Sequence, residues 1–303
     1  MCGIVGYSGS FKKDIIKHCL DSIAHRGPDD SGSYFDESSM IGLGHRRLSI
    51  LDLSPMGHQP MLNADQNIAL VFNGEIYNFQ DLKKDLESKG YKFRGHSDTE
   101  VLLNLYIDQG EAMLSKINGI FAFALWDKRK ETLLLARDGL GVKPLYYANS
   151  KYGFAFASEI KALLPLLPER AELDLESIHR YLGFLWCPGD GTPIKSVRKL
   201  QPGEAMIVKG GSISKRWEWY KLPSYNSQEV RAFNDNWIDG TASYLKQAVH
   251  RQMVSDVPLG AFLSGGLDSS SVVAFASEIN PEIRCFTIEI KDGQEIGDTD
   301  DLP

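Results

Sequence analysis

Long apolar runs are the first thing this 303-residue chain lacks. None approaches the roughly 18 residues of a helical membrane span, so no such span is expected. A basic start leading into an apolar core is also missing, since glycine arrives by position 6, and a secretory leader is not expected. Cysteine is scarce: Cys2, Cys19, Cys187 and Cys285 show neither the paired spacing of zinc sites nor disulfide-like density. That usage fits a reducing, cytoplasmic setting. Excess positive charge is absent as well. The formal charge is -7 with both signs mixed along most of the chain, which leaves no extended basic surface for nucleic acid. The acidic stretch 292–301 reads as a solvated loop, and no internal repeat is evident.

What is present is enough apolar material for real cores, 43% of residues, over a length that suggests about two domains. An opening strand, Gly3 to Tyr7, precedes a helix over Asp14 to Ala24, where Ile15, Ile16, Cys19, Leu20 and Ile23 fall at helical spacing. The loop His25-Arg26-Gly27-Pro28-Asp29-Asp30 ends it. Strands are predicted at Ile68 to Phe72, Ile120 to Trp126, Thr132 to Ala136 and Gly153 to Ala157. Two helices lie among them, one over Gln80 to Ser88 and one opening at Ser97-Asp98-Thr99-Glu100, which matches a capping box. A further helix is expected over Leu175 to Phe184 and a closing β segment over Leu200 to Trp219. This order suits an α+β fold of two antiparallel sheets stacked face to face and covered by helices. The first domain is placed at 2–210, a polar linker at 211–228 and a second domain at 229–303.

The second domain changes character. A helical stretch from Glu229 to Met253 leads to a buried strand, Val257 to Leu263, then to Ser264-Gly265-Gly266-Leu267-Asp268-Ser269-Ser270. A helix over Ser271 to Ile279 and a strand over Ile283 to Ile290 complete one βαβ unit. A glycine turn at a helix N-terminus favours an anion such as phosphate, and Asp268 is placed to help hold Mg2+ on it. No lysine follows, so this is not a Walker P-loop. The simpler alternative is a serine-capped helix after a Gly-Gly turn.

Chemistry concentrates at Met1-Cys2-Gly3. Removal of Met1 would leave one residue carrying both a thiol, with a free pKa of about 8.5, and an α-amine titrating near about 8. The amine can then take the thiol proton, as in enzymes with an N-terminal nucleophile. The alternative is that Cys2 merely begins a buried strand. Asn73-Gly74 reads first as a hairpin turn, yet an Asn amide and the Gly74 N–H also make a donor pair for an oxyanion. Arg47 can fork onto a carboxylate. Asp98 can receive an ammonium, or simply complement a helix dipole. His25, His45 and His58 invite a Cys-His pair, but a nucleophile at position 2 has its base built in, so they are read as loop or packing residues.

Taken together, MCGIVGY, HRGPDD, GHRRLSILDL, GHQPM, VFNGEIYNF, SDTEVLL, GIFAFALWD, KPLYY, FASEIKALL and SGGLDSS resemble the asparagine synthetase family, nearly end to end. That family joins a class II glutamine amidotransferase to an ATP-pyrophosphatase synthetase domain. The resemblance implies an αββα N-terminal-nucleophile sandwich followed by an incomplete α/β adenine-nucleotide domain. It implies Cys2 as nucleophile, Asn73 and Gly74 as oxyanion hole, and a glutamine-binding set of Arg47, Leu48, Ile50, Asn73, Gly74, Glu75 and Asp98. It implies an ATP loop of Leu263, Ser264, Gly265, Gly266, Asp268 and Ser269, with Mg2+ at Asp268.

The implied substrates are L-glutamine, ATP, and L-aspartate or another carboxylate acceptor such as a sugar uronic acid, with a homodimer allowed and neither nucleic acid nor membrane as partner. Ammonia released at Cys2 would amidate an adenylylated acceptor. Gly139 departs from the pattern, which has an arginine there. The chain stops after one βαβ unit, so by itself it is expected to be a glutaminase only. A chain that merely binds glutamine or a partner subunit is the non-catalytic alternative.

Overall fold

The computed structural model describes residues 1–167, 171–224 and 236–288. In the first part of the chain the elements run β1 (Gly3–Gly9), α1 (Ile15–Ser22), β2 (Asp30–Asp36), β3 (Ile41–Arg47), β4 (Met61–Leu62), β5 (Ile68–Ile76), α2 (Phe79–Ser88) and α3 (Asp98–Gln109). They continue with β6 (Gly119–Asp127), β7 (Thr132–Arg137), β8 (Tyr146–Ser150), β9 (Gly153–Ala157), α4 (Ile160–Leu163), α5 (Leu175–Phe184), β10 (Val197–Lys199), β11 (Glu204–Lys209) and β12 (Ser212–Glu218). These strands form two six-stranded sheets, ordered β10-β8-β9-β1-β3-β2 and β12-β11-β7-β6-β5-β4, with antiparallel pairing throughout.

Period-two alternation along the strands sorts side chains into layers. Ile68, Leu70, Phe72, Phe121, Phe123 and Leu125 pack with α2 and α3, whereas Ala69, Val71, Ala122, Ala124 and Trp126 meet Ile4, Ile41, Leu43, Phe154 and Phe156 of the facing sheet. On the outer face of the first sheet, Val5, Tyr7, Ala155 and Ala157 pack on Ile16, Cys19, Leu20 and Leu163 from α1 and α4. Both sheets are therefore covered on both faces. This explains why their strands read as continuous apolar runs, and it gives the expected αββα sandwich.

Several boundaries differ from expectation. β5 does not turn at Asn73-Gly74; it pairs with β6 through Ile76. Gly74 is needed for a different reason, because a Cβ there would lie 2.3 Å from the Ile120 carbonyl oxygen and 2.6 Å from Phe121 Cα. Ser97 caps α3 by accepting from the Glu100 N–H at 3.3 Å, but Glu100 does not close the capping box. Its carboxylate binds the N–H groups of Arg94 and Gly95 instead. The stretch 211–218, placed in the linker as well as in the closing β segment, is largely β12, paired along β11, as the β reading has it; residues 225–228 of that linker lie outside the described residues.

The chain divides into two compact units, Met1–Pro223 and Ser224–Pro303. The second contains α6 (Asn236–Gln252), β13 (Gly260–Phe262), α7 (Leu267–Ser277) and β14 (Arg284–Phe286), with β13 and β14 paired in parallel. That is the expected βαβ unit, with α7 starting four residues earlier than predicted, directly after Gly266. The expected helix start at 229–235 and strand end at 289–290 lie outside the described residues.

Candidate active site

Strand parity places the candidate residues before any distance is measured. Cys2 continues the side of β1 that turns Ile4 toward the facing sheet; His45 and Arg47 continue the Ile41 and Leu43 side of β3; Asn73 and Glu75 continue the Ala69 and Val71 side of β5. All five therefore face the gap between the sheets, at one end of it. The β1–β3 register, with Gly3 opposite Arg46, brings Cys2 alongside the end of β3. There the Leu48 N–H approaches Sγ at 3.4 Å and the Leu48 carbonyl lies at 3.6 Å.

The Cys2 carbonyl accepts from Arg26 Nε at 2.8 Å, and buried Arg26 is fixed by Glu159 at 3.0 Å. Gly27 lets this loop close against β3, since a Cβ would sit 2.4 Å from the Arg46–Arg47 peptide. Burial pushes the Cys2 thiol upward, which outweighs the Leu48 bond and the nearby amino terminus. A base is therefore needed. None of the three histidines bonds the thiol, whose partner is Leu48: His25 pairs with Glu159, His58 with Asp30, and His45 with the Phe72 carbonyl.

Arg47 is buried, and its guanidinium donates only to carbonyl oxygens, those of Ser54, Leu51 and Asp52. Gly57 makes room for it, since a Cβ there would fall 1.8 Å from Nη2. Its direction is thus fixed, and among the described residues it makes no ion pair, which is the arrangement a carboxylate ligand needs. Arg47 closes β3, and Leu48 and Ile50 belong to the loop that follows.

Across the gap, β4 accompanies β5 only at Ala69 and Leu70. Beyond that point side chains occupy the edge of β5. The Phe72 N–H donates to Gln59 Oε1 at 2.7 Å, its carbonyl accepts from His45 Nε2 at 3.0 Å, and the Ile76 N–H donates to Asp98 Oδ2 at 2.9 Å. Backbone groups of alternate residues face the same edge, so the Gly74 N–H points to this open side too. The opposite residue, Phe121, agrees: its N–H and carbonyl both turn away from β5 to bond Asp138. Beside Gly74, the buried Asn73 Nδ2 has no hydrogen-bond partner. An unpaired buried donor costs roughly 1–3 kcal/mol and is rare without a reason.

Two carboxyls complete the site. Burial raises Asp98 despite its bonds from Ile76 and Thr99, and burial together with the Asp98 charge raises Glu75. Both would be relieved by a cationic ligand. Lys143, which the sequence reading passed over inside KPLYY, opposes the shift at Glu75, and its own pKa is lowered by burial. Its loop is held by Asp138, which accepts from the N–H groups of Leu140, Val142 and Lys143. The same loop contains Gly139, where a Cβ would lie 2.5 Å from the Tyr220 ring, so an arginine there would displace Tyr220.

This geometry has relatives. The glutamine amidotransferase domain family matches residues 1–220. The chain belongs to that family. The asparagine synthase family matches residues 240–303 of this amidotransferase chain. Asparagine synthetase [glutamine-hydrolyzing] 1 of Bacillus subtilis (strain 168) is 38% identical over 296 residues, covering 95% of this chain and 46% of that protein. The amidase chry2 of Gibberella zeae is 36% identical over 296 residues, covering 92% and 43%. The chain spans about half the length of the curated relatives it matches. A solved glutamine phosphoribosylpyrophosphate amidotransferase from B. subtilis superposes with a TM-score of 0.55 at 19% identity, covering 95% of this chain and 65% of that one, a likeness of fold.

In the second unit the predicted phosphate loop forms as a turn between β13 and α7, with Gly265 at φ +84°. Ser264 and Ser269 hydroxyls meet at 3.1 Å, and Ser269 also bonds the Gly266 carbonyl. Gly266 is the N-cap of α7, so the first-turn N–H groups of that helix face the loop. The residues fit a phosphate group. Asp268 lies in that first turn, and among the described residues no cluster of three metal-ligating side chains exists.

Proposed function

We propose that this chain is the glutaminase-bearing portion of a glutamine-dependent amidotransferase that makes asparagine. The observation that carries the reading is the unpaired, buried Asn73 Nδ2 beside a Gly74 N–H on an open strand edge, next in sequence to Glu75, whose charge acts on the Cys2 thiol. Removal of Met1 exposes the Cys2 amine, which takes the thiol proton. The thiolate attacks the glutamine carboxamide carbon, and the oxygen that becomes negative is held by Asn73 Nδ2 and Gly74 N–H. Arg47 receives the α-carboxylate, while Glu75 and Asp98 receive the α-ammonium; Leu48 and Ile50 line the pocket. The amine returns its proton to the leaving nitrogen, ammonia departs, and water hydrolyses the thioester to glutamate.

In the whole protein the loop of Leu263, Ser264, Gly265, Gly266, Asp268 and Ser269 would hold the phosphates of ATP, with Mg2+ at Asp268. ATP would supply the activation of aspartate to which ammonia adds. The likeness to several asparagine synthetases supports aspartate as acceptor. The comparable identity to a relative named amidase favours keeping a second acceptor, another carboxylate, as the alternative.

The test is glutamate release from glutamine by the Met1-processed chain beside its Cys2→Ala variant. Release by the parent and none by the variant is expected; equal rates would remove Cys2 from the chemistry. Supplying aspartate or a uronic acid to the full-length protein separates the two acceptors.

A further inference from the structure

The oxyanion donors sit on a stretch of β5 that has lost its neighbouring strand. Past Leu70, β4 no longer accompanies it, yet the backbone of Phe72 is fully bonded on that edge. Gln59, from the loop before β4, accepts the Phe72 N–H at 2.7 Å. His45, from the other sheet, donates Nε2–H to the Phe72 carbonyl at 3.0 Å. Both side chains are buried, His45 completely. Because its partner is a carbonyl, His45 must carry its proton on Nε2, and Nδ1 is left bare, buried and without a partner. Burial agrees with a neutral ring, pushing the imidazole down to about 4.

We propose that Gln59 and His45 are positioning residues for the oxyanion hole: together they replace the missing strand at Phe72 and so fix the peptide from which Asn73 and Gly74 present their donors. The geometry gives each a direction. Gln59 restrains the strand along the edge, and its amide nitrogen reaches Thr99 Oγ1 at 3.5 Å, next to the Asp98 carboxylate. His45 ties the strand across the gap to β3, the strand that ends in Arg47. The carbonyl oxygen of the reacting amide and the α-carboxylate of the same ligand are thereby referenced to one frame. A frame that shifts by about 1 Å costs on the order of 100-fold in rate while binding changes little.

This inference rests on the glutaminase reading and is tested within it. Glutamine hydrolysis is measured for the processed chain and for Gln59→Leu, His45→Met and His45→Gln, with Cys2 alkylation by iodoacetamide followed in parallel. The last variant keeps an N–H near the position of Nε2. Expected are falls in kcat of roughly 10- to 100-fold for Gln59→Leu and His45→Met, with KM within about threefold and recovery of most of kcat in His45→Gln. Alkylation, which needs no oxyanion hole, should be unchanged.

An active parent whose Gln59→Leu variant keeps its kcat overturns the inference alone. So does a loss of alkylation parallel to kcat, which marks general disruption. A parent that releases no glutamate overturns the glutaminase reading and this inference with it. If either apolar variant fails to fold, hydrogen exchange on His45→Gln decides: the Phe72 amide, bonded to Gln59, should keep parent-like protection, and its loss with kcat intact refutes the proposal.

Discussion

Asn73 is kept where a less polar residue would suit the free protein better. Its side chain is buried, its Nδ2 lacks a partner, and along that face of β5 it lies between Val71 and Glu75. Replacing an unpaired buried amide by a hydrocarbon of similar size removes a desolvation cost of about 1–3 kcal/mol. Asn73→Leu is therefore expected to leave the midpoint of urea unfolding unchanged or raised. Glutamine hydrolysis should fall roughly 100- to 1000-fold in kcat. His45 makes the complementary case for acidity. Its folded pKa is depressed to about 4 from 6.5, chiefly by burial and also by Arg47 and His58, with the bond to the Phe72 carbonyl and Asp30 opposing. The unfolded chain then binds more protons between those values, so stability is present above the unfolded pKa and is lost as pH falls toward the folded one. The group should contribute about 2 kcal/mol less at pH 5 than at pH 7. Subtracting the urea-derived stability of His45→Gln from that of the parent at both pH values isolates the effect; no difference in slope would contradict it.

Elements were legible wherever both faces of a strand are buried or a helix carries an apolar stripe. Gly153–Ala157 and Leu175–Phe184 match their predicted bounds, and Thr132–Arg137 extends its prediction by one residue. Among the strands passed over, β4, β8 and β10 are short, while β2 and β3 have patterns broken by small or polar residues, Ser31, Gly32 and Ser33 in one and Gly42 and Gly44 in the other. Such residues are required by close packing, as at Gly44 against Ile16 and Leu20, but composition reads them as loop. The Asn73-Gly74 pair misled for the same reason, since a turn dipeptide was chosen there for the approach of β6. Cys2, Arg47, Asn73 and Glu75, named from motifs, fall on strand faces that meet at one end of the sandwich, whereas the loop of Ser264 to Ser269 lies in the second unit. Gln59 and Lys143 stay unassigned, and His45 reads as a loop or packing residue, because their partners are backbone groups or distant charges that no local spacing reveals. Among the helices, α3 depends on its cap: Ser97 Oγ satisfies the Glu100 N–H, and Asp98 sits in the same turn. Ser97→Ala should cost about 1 kcal/mol and, because Asp98 then loses its fixed approach to Ile76, raise the KM for glutamine more than it lowers kcat. Urea unfolding and steady-state kinetics on one preparation check both parts.

At the scale of the molecule, the apolar clusters that hold the fold lie entirely within Met1–Pro223. In the second unit only Val249 and Ala276 are buried hydrophobics among the described residues, while Phe262, Leu267 and Phe286 are largely exposed. Apolar surface left open in this way favours association, and elements with few buried contacts open at low free energy. The residues proposed for glutamine hydrolysis, Cys2, Arg47, Asn73, Gly74, Glu75 and Asp98, all belong to the first unit. A chain ending at Pro223 is therefore expected to keep its glutaminase kcat and KM within about twofold and to unfold at the same urea midpoint. It should also be less prone to aggregate. Hydrogen exchange on the longer chain should show β5 and β6 amides outlasting those of β13, α7 and β14 by orders of magnitude. A tenfold loss of glutaminase activity on truncation, or equal protection across the two units, would mean that stability and catalysis depend on contacts beyond the sandwich.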